Sequence, residues 1–396
     1  MKKSSIIKYA LLFTVAAAAV TLALLGVFDW NGEESSSSAT SSSSSKKQTL
    51  THIHSWQDAT CDLPKTCSGC GAIEGEKLSH SFVNGTCEHC GEVLYTREDN
   101  YLYFGSYPQS RVKEEVLLSS LNAYVDNLPS AQNANGWNDY GYYSLSFQQS
   151  YGWYKDIQLD GEKYRAIYFE KNRPYGTERA ACEKQSFQDD NGYLINTVYW
   201  FKFEPLKWRI LSETADEMVL FSSVIIDSHE FYAHHTQNRL NEESSNIYPN
   251  NYEYSTIRSW LNDDFYNLAF TVDEKSLVLQ TTVNNGASTT GATTNQYACK
   301  DTVDKVFLLS YDEVNSKYVF KNPITRKLVL TDYALSQGAG NREINGVLCG
   351  YWWIRSPYEG NERIAKAYDP YSELELAAYV NSSSGGVAPV VRISIK

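Results

Sequence analysis

Two Cys-x-x-Cys pairs stand close together in the N-terminal third of the chain and carry its most specific chemical signal. Cys67 and Cys70 form the first pair, Cys87 and Cys90 the second, and sixteen residues separate them. Thiolates at this spacing are typical of a tetrahedral Zn²⁺ site, in which each pair binds one side of the metal. We therefore predict one zinc bound by these four side chains. Its role would be structural, because a catalytic zinc keeps one position open.

The pairs belong to a short internal repeat that supplies further metal-binding side chains. His54-Ser-Trp56 precedes the first pair, and His80-Ser-Phe82 precedes the second. His54, Cys61 and His80 could replace some of the four thiolates or complete a second site. Disulfides are the alternative, although neighbouring Cys-x-x-Cys pairs make poor structural disulfides. The repeat resembles zinc ribbons and the small Cys/His modules found in tandem in Gram-positive exported proteins, which implies a spacer or interaction module.

Aromatic side chains form a second set of candidate residues. Flat amphipathic rings stack on sugar faces and anchor protein interfaces, so a dense group of them is a candidate ligand-binding site. Strands that only pack look similar, because buried aromatic residues usually belong to the core. The candidates are Trp137, Tyr140, Tyr142, Tyr143 and Trp153, and later in the chain Trp353 and Arg355. Alternation places Trp353 and Arg355 on one face of a strand, which also suits a core strand.

The other reactive side chains form no recognisable catalytic motif. His229 stands near Asp227, but the spacing fits no H-E-x-x-H metal site. Cys182, Cys299 and Cys349 lie far apart, and we expect Cys349 to be a buried free thiol. The sequence contains no nucleophile elbow, phosphate-binding loop or dinucleotide fingerprint. We therefore assign no catalytic residue.

The elements that position these residues follow one another along the chain. Residues 1–30 hold an uncharged run of twenty residues behind a Lys-rich start, which predicts a transmembrane signal anchor with its N-terminus in the cytoplasm. A cleaved signal peptide is the alternative. The Ser-rich residues 31–50 predict a flexible linker. The Cys/His module follows at 51–97 and a large domain at 98–396. We thus predict a single-pass protein of the cell membrane whose C-terminal bulk is extracellular.

The formal net charge of −12 argues against a nucleic-acid partner, because phosphate contacts need clustered Lys and Arg.

The large domain mixes strands with a few helices. Residues 206–211 and 218–221 alternate and predict a hairpin. Apolar residues at helical spacing predict a helix that begins at Ser255. Capping boxes at 271–274 and 310–313 predict two more short helices. These elements together indicate an α+β domain.

Several motifs of this domain, taken in order, resemble those of one family. They lie at residues 104–109, 203–211, 255–262, 304–310, 351–357 and 386–393. They are similar to an uncharacterised family of bacterial exported proteins, domain of unknown function 6273, over about residues 100–396. The last two motifs are also similar to strands of the C-type-lectin-like and formylglycine-generating-enzyme-like fold, which is an analogy of fold.

The resemblance implies an α+β, C-type-lectin-like mixed domain with long loop insertions. Ala388 stands where the closing strand of the family usually carries Arg. Calcium is not supported, because the Glu-Pro-Asn and Gln-Pro-Asp tripeptides of calcium-dependent lectins are absent. We expect a membrane-anchored, non-enzymatic extracellular module that binds an unknown glycan or protein ligand. An exported formylglycine-generating-enzyme-like oxidase and a structural cell-envelope protein are the alternatives.

Overall fold

The computed structural model of the chain describes ten stretches of residues. They are 53–130, 132–140, 152–171, 188, 191–233, 239–240, 245–317, 319–320, 322–371 and 375–396. The chain divides into two units, Met1–His54 and Ser55–Lys396, and the architecture below belongs to the second. Residues 55–97 of the Cys/His module and the large domain therefore lie in one unit.

Strands dominate the second unit. In chain order they are β1 (Trp56–Gln57), β2 (Lys65–Cys67), β3 (Ile73–Glu74), β4 (Phe82–Val83), β5 (Thr86–Cys87), β6 (Tyr95–Glu98), β7 (Tyr101–Arg111), β8 (Asn138–Asp139), β9 (Gly152–Leu159), β10 (Glu162–Phe169), β11 (Val198–Glu213), β12 (Glu217–Ser222), β13 (Val224–Ile225), β14 (Asp227–Ser228), β15 (Arg239–Leu240), β16 (Asn246–Ile247), β17 (Thr281–Val283), β18 (Thr302–Asp304), β19 (Val306–Phe307), β20 (Val329–Leu330), β21 (Asn341–Ile344), β22 (Val347–Gly350), β23 (Trp352–Pro357), β24 (Ile364–Tyr368), β25 (Glu375–Tyr379), β26 (Gly386–Val387) and β27 (Val390–Ser394).

The helices are short. In chain order they are α1 (Glu115–Asn122), α2 (Thr256–Trp260), α3 (Tyr266–Ala269), α4 (Val272–Leu277), α5 (Tyr311–Asn315) and α6 (Asp332–Ser336). A π-helical turn, Leu261–Phe265, joins α2 to α3, and 3₁₀ turns occupy Ala287–Thr289 and Pro323–Arg326.

The prediction of an α+β, C-type-lectin-like fold is wrong, because the described residues are mostly β-sheet, with 40% in strands and 15% in helices. Helices do begin at the predicted start signals. Ser255 caps α2 through its side chain, and both predicted capping boxes form, at α4 and α5. The helix that begins after Ser255 continues through the π-helical turn and α3 to Ala269, as its apolar spacing predicted. The helices that follow the two capping boxes, α4 and α5, have only six and five residues.

The predicted transmembrane helix and single-pass membrane localisation are also corrected. No helix in the described stretches is long and apolar enough to cross a membrane. The segments on which that prediction rested, 1–30 and the linker 31–50, lie outside those stretches.

A nine-stranded sheet organises the large domain. Its strands run in the order β19-β27-β12-β11-β10-β9-β8, and β6 and β7 join it through β11. The central strand β11 has 16 residues and pairs antiparallel with β10, β12 and β7. The β11–β12 pair is the hairpin that the alternating sequence predicted, with Glu213 opposite Met218.

Strand β23 lies between two parts of the core. It belongs to a five-stranded sheet in the order β14-β26-β23-β24-β25. Trp352 packs in a cluster with Phe221, while Trp353 packs in a second cluster with Phe231. Both tryptophans are fully buried. Alternation thus separates the two rings as predicted, and each of them packs in the core.

Arg355 from the same strand is a buried cation with a full set of partners. Its guanidinium donates to the carbonyl oxygens of Leu308 and Asn284, and to both carboxylate oxygens of Glu313 at 2.5 and 3.0 Å. Glu313 is also the residue that closes the capping box of α5. One carboxylate therefore caps a helix and neutralises a charge inside the core.

We expect Glu313→Gln to lower the free energy of unfolding by about 1–2 kcal/mol, because the Arg355 side chain, only 2% exposed, loses its counter-ion. The effect stays modest because water reaches the Glu313 side chain, which is 38% exposed. Denaturant titration measures it. Asp312→Asn, on the exposed neighbouring residue, is the matched control and should change stability by less than about 0.5 kcal/mol.

The same pair gives the sign of a pH effect. Burial raises the pKa of Glu313, but the Arg355 guanidinium outweighs burial and the net pKa is lowered. A carboxyl whose pKa is lowered by folding stabilises the fold above its ordinary pKa, and that contribution is lost as the pH falls through the lowered value. The wild-type chain should therefore lose stability on acidification more steeply than Glu313→Gln, and equal slopes would contradict this assignment.

Candidate metal cluster and ligand-binding cleft

The two copies of the Cys repeat fold into the same knuckle. In each copy the N–H of the first Cys donates to a carbonyl five residues ahead, Cys67 to Ala72 and Cys87 to Glu92, both at 2.8 Å. The glycine after each pair has a left-handed backbone and donates to the carbonyl of the first Cys, at 2.9 Å in both copies. The repeat in the sequence is therefore also a repeat of backbone conformation.

The second knuckle is part of a four-residue group that we call the Cys/His cluster: Cys61, His80, Cys87 and Cys90. The candidate ligand atoms of the four residues all lie within 4.8 Å of one another. The Sγ atoms of Cys61 and Cys87 are 3.8 Å apart, and Cys90 Sγ lies 3.6 Å from His80 Nδ1. A disulfide would bring two sulfurs to about 2.05 Å. The thiols of Cys61, Cys87 and Cys90 are not joined by disulfides. The cluster can bind a metal ion.

The electrostatic surroundings of the Cys/His cluster, set by burial and by backbone N–H groups, favour the binding of a cation. Burial raises the pKa of Cys87, but the N–H groups of Cys90 and His89 outweigh it and lower the value to about 6. Burial and the sulfurs of Cys90 and Cys87 raise the pKa of Cys61 to about 12. The thiolate is the metal-binding form, and packed thiolates repel one another unless a cation lies between them.

The Cys/His cluster is fixed to the large domain through the second knuckle. Strand β6 follows the knuckle directly and pairs with β7 of the main sheet. The Tyr95 ring lies against Gly85, where an added Cβ would approach it to 2.5 Å. The ligand atoms of His80, Glu92 and Asp273 also lie within 4.8 Å of one another, and Asp273 belongs to α4. A metal ion bound to His80 would therefore stabilise the attachment of the Cys/His module to the large domain.

The structure divides the four predicted zinc ligands. Cys87 and Cys90 lie in the Cys/His cluster together with Cys61 and His80, which had been named as replacements. Cys67 and Cys70 are not members of that group. His54 belongs to the other unit of the chain.

A cleft of ≈ 360 Å³ lies on the large domain, between the main sheet and the α2–α3 helix. Its floor contains a buried carboxylate, Asp227, which follows β13 at the start of β14 and whose side chain is 4% exposed. Tyr107 from β7 donates its hydroxyl to Asp227 Oδ2 at 2.5 Å, and the N–H of Ser228 donates to Oδ1 at 2.7 Å. Two elements distant in sequence thus meet at one carboxylate.

A buried guanidinium forms the opposite part of the floor. Arg165 of β10 and Asp156 of β9 are cross-strand partners, and they form two parallel hydrogen bonds of 2.7 and 2.8 Å. Arg165 also donates to the hydroxyl of Tyr333 at 3.2 Å. That hydroxyl lies 3.0 Å from the hydroxyl of Tyr140. The charge of Arg165 is therefore neutralised inside the protein.

The rim of the cleft is formed by His229 and by one face of the α2–α3 helix. Trp260, Asp264 and Leu268 from this helix all line the cleft. The His229 ring packs on Trp260 with 4.0 Å between ring centroids, and its Nε2 is 3.6 Å from Asp227 Oδ2. The π-helical turn, a feature often found at functional sites, contains Asp264.

Of the predicted ligand-binding residues that the structure describes, only Tyr140 lines the cleft. Trp137 and Trp153 are buried in a separate core cluster with Trp200, and Trp353 is fully buried in the main core. Arg355 is the buried partner of Glu313 described above. Tyr142 and Tyr143 lie outside the described residues, as does Cys182. Cys349 is a buried free thiol, as expected.

Sequence reasoning missed most of the cleft. Tyr107 stands within one of the family motifs, and Trp260, Asp264 and Leu268 recur at intervals of four residues, but neither pattern distinguishes a cleft from a core. Arg165 carries no local signal, because its role arises from pairing between strands. Asp227 and His229 stand close together in the sequence, but their spacing matches no known metal-binding motif.

Comparison with known proteins adds a family match without a function. Residues 215–394 match the model of a family described as Domain of unknown function (DUF6273). No curated protein and no solved structure matches the chain. The matched region contains Asp227, His229 and Asp264, whereas Tyr107 and Arg165 precede it.

We expect Tyr107→Phe to lower the free energy of unfolding by about 1–3 kcal/mol, because it removes a hydrogen bond from the buried Asp227 carboxylate. Denaturant titration measures the change. Tyr103→Phe is the matched control: it lies on the same strand, its hydroxyl bonds the exposed Glu98, and its loss should cost less than about 0.5 kcal/mol. Equal losses of unfolding free energy in the two variants would show that the hydrogen bond to Asp227 stabilises the fold no more than the exposed bond to Glu98 does.

Proposed function

We propose that the protein is a non-enzymatic binding protein, in which a zinc-stabilised module is fixed to a β-rich domain that binds a glycan or protein ligand in its cleft. The cleft is the observation that carries the proposal. It is concave, and aromatic and polar side chains from β7, β10, β14, α2 and α6 converge on it. Sites that bind small molecules are typically concave and combine aromatic side chains with a few polar groups.

Zinc is favoured over other metals by the chemistry of the Cys/His cluster. Three sulfurs and one imidazole nitrogen are typical of structural zinc sites. With Zn–S bonds of about 2.3 Å and Zn–N bonds of about 2.0–2.1 Å, a tetrahedron has edges of about 3.8 Å between sulfurs and about 3.6 Å between sulfur and nitrogen. The distances of 3.8 Å between Cys61 and Cys87 and 3.6 Å between Cys90 and His80 agree with both edges.

A structural role follows from the number of protein ligands. Four side chains complete a tetrahedral shell and leave no open position for a substrate. Cys61 comes from the first copy of the repeat, and the other three ligands come from the second copy. The zinc would therefore join the two copies, while β6 joins the second copy to the main sheet.

Binding is favoured over catalysis because the strongest polar groups of the cleft floor are already engaged with one another. Arg165 is paired with Asp156, and Asp227 accepts hydrogen bonds from Tyr107 and Ser228. Such a network holds a fixed shape, and a fixed polar surface lowers the entropy lost on binding.

We expect the full-length protein to contain bound zinc, and Cys87→Ser to lose one equivalent of it relative to the wild type. Elemental analysis by mass spectrometry after dialysis measures the content. Cys349→Ser is the matched control, since Cys349 is a buried thiol outside the cluster, and it should keep the wild-type content. A wild-type chain without zinc, with thiols that react with alkylating reagent only after reduction, would establish disulfides in its place.

We expect the full-length protein to bind a defined member of a glycan array or of a panel of immobilised proteins. His229→Ala should weaken that binding about fivefold, the ratio that corresponds to a rim contact of ~1 kcal/mol. Tyr379→Ala removes a ring that is 61% exposed and does not line the cleft, and it should bind as the wild type does. Absence of binding on both panels would count against the proposed function.

A further inference from the structure

We infer that the first knuckle of the module, which contains Cys67 and Cys70, binds a second zinc ion that exchanges more easily than the zinc of the Cys/His cluster. This second site lies outside both the Cys/His cluster and the cleft, and ligand binding in the cleft does not depend on it. The observations that point to it are the matching conformation of the two copies and the unequal length of their loops.

The two copies of the repeat match beyond the turn that contains each Cys pair. In each copy the aromatic residue of the first strand pairs with the first Cys of the knuckle. The pairs are Trp56 with Cys67 and Phe82 with Cys87. In each copy the residue after the first Cys also donates its N–H to the carbonyl of the repeated Ser, at 2.9 Å. These bonds run from Ser68 to Ser55 and from Glu88 to Ser81. The backbone therefore presents the two Cys pairs in the same way.

The thiols of the two knuckles match as well. The first Cys of each pair is buried and the second is exposed. The Sγ atoms of Cys67 and Cys70 lie within 4.8 Å of each other, which agrees with the edge of about 3.8 Å between two sulfurs on a tetrahedral zinc. An exposed thiol such as that of Cys70 adds nothing to a core, whereas a metal ion in solution can reach it.

The two knuckles do not converge on a single metal ion. A zinc shared by both Cys pairs would place all four sulfurs about 3.8 Å from one another. Cys67 and Cys70 instead lie outside the group of ligand atoms around Cys87, whose members are all within 4.8 Å of one another. A metal at the first knuckle is therefore a separate ion.

The difference in loop length makes the first site the weaker one. Trp56 and Cys67 are 11 positions apart, whereas Phe82 and Cys87 are 5 positions apart, so the first copy has a longer loop. This loop contains Cys61, whose sulfur lies 3.8 Å from that of Cys87 in the other copy.

The first knuckle thus contributes a thiol-containing loop to the second copy and receives none in return. Within the described residues of this unit, no other Cys, His or carboxylate forms a metal-binding group with Cys67 and Cys70. Two thiolates therefore come from this unit, and the remaining positions of the zinc are filled from outside it, water included. A zinc with fewer ligands from its own unit and open positions exchanges more easily than one with a complete shell.

Elemental analysis by mass spectrometry on the full-length protein, saturated with zinc and desalted, tests the second site. We expect two equivalents in the wild type and one fewer in Cys70→Ser. Cys90→Ser is the matching change in the second knuckle and should also lose one equivalent. Both positions are exposed, so neither change disturbs packing. Cys349→Ser, outside both sites, should keep the wild-type content.

Release of zinc to a zinc-binding dye tests the difference in exchange. The wild type should release its two equivalents in two phases, with the first about tenfold faster than the second, because fewer protein ligands hold that ion. Cys70→Ser should lack the fast phase and keep the slow one. Release of both equivalents in a single phase would contradict the easier exchange.

Two other outcomes would overturn the second site. A wild type with one equivalent that Cys70→Ser retains would leave the zinc of the Cys/His cluster and the binding function standing. A single equivalent that is lost in both Cys70→Ser and Cys90→Ser would show that the two knuckles share one ion. A zinc-saturated wild type that contains no zinc would overturn the zinc of the Cys/His cluster together with the second site.

Discussion

The pairing of strand β11 with three neighbours is the constraint on which the rest of the structure depends. Its 16 residues are long enough to pair with β10 near one end and with β12 near the other, while β7 runs along its opposite edge. Tyr107 lies on β7 and Arg165 on β10. Strand β7 also pairs with β6, which follows the second Cys knuckle. One strand thus fixes both the cleft floor and the Cys/His module.

The parts of the structure that local chemistry dictates could be predicted from the sequence. The capping boxes at α4 and α5, the cap at Ser255 and the β11–β12 hairpin each depend on residues within 14 positions of one another. The Cys repeat is similarly local, since each knuckle closes on its own glycine. In all of these cases the partner of a residue can be identified from its spacing.

The features that could not be predicted depend on partners that are distant in sequence. Cys61 lies in the first copy of the repeat but approaches Cys87 in the second, and spacing alone had favoured Cys67 and Cys70. Asp227 meets Tyr107 across 120 positions. The predicted fold class was wrong for a related reason: helix caps can be identified locally, whereas the share of strand depends on pairing between distant segments, and the two longest described elements are the strands β11 and β7.

The π-helical turn has a consequence for how the cleft is encoded. Four steps along an α-helix overshoot a full circle by about 40°, so residues 260, 264 and 268 would drift around an ordinary helix. A π turn holds an extra residue and reduces that drift, which keeps all three positions facing the cleft. The register of this helix is therefore part of the site. Deleting a single residue from the turn would rotate Leu268 away from the cleft. The deletion would do so without substituting any of the residues that line the cleft.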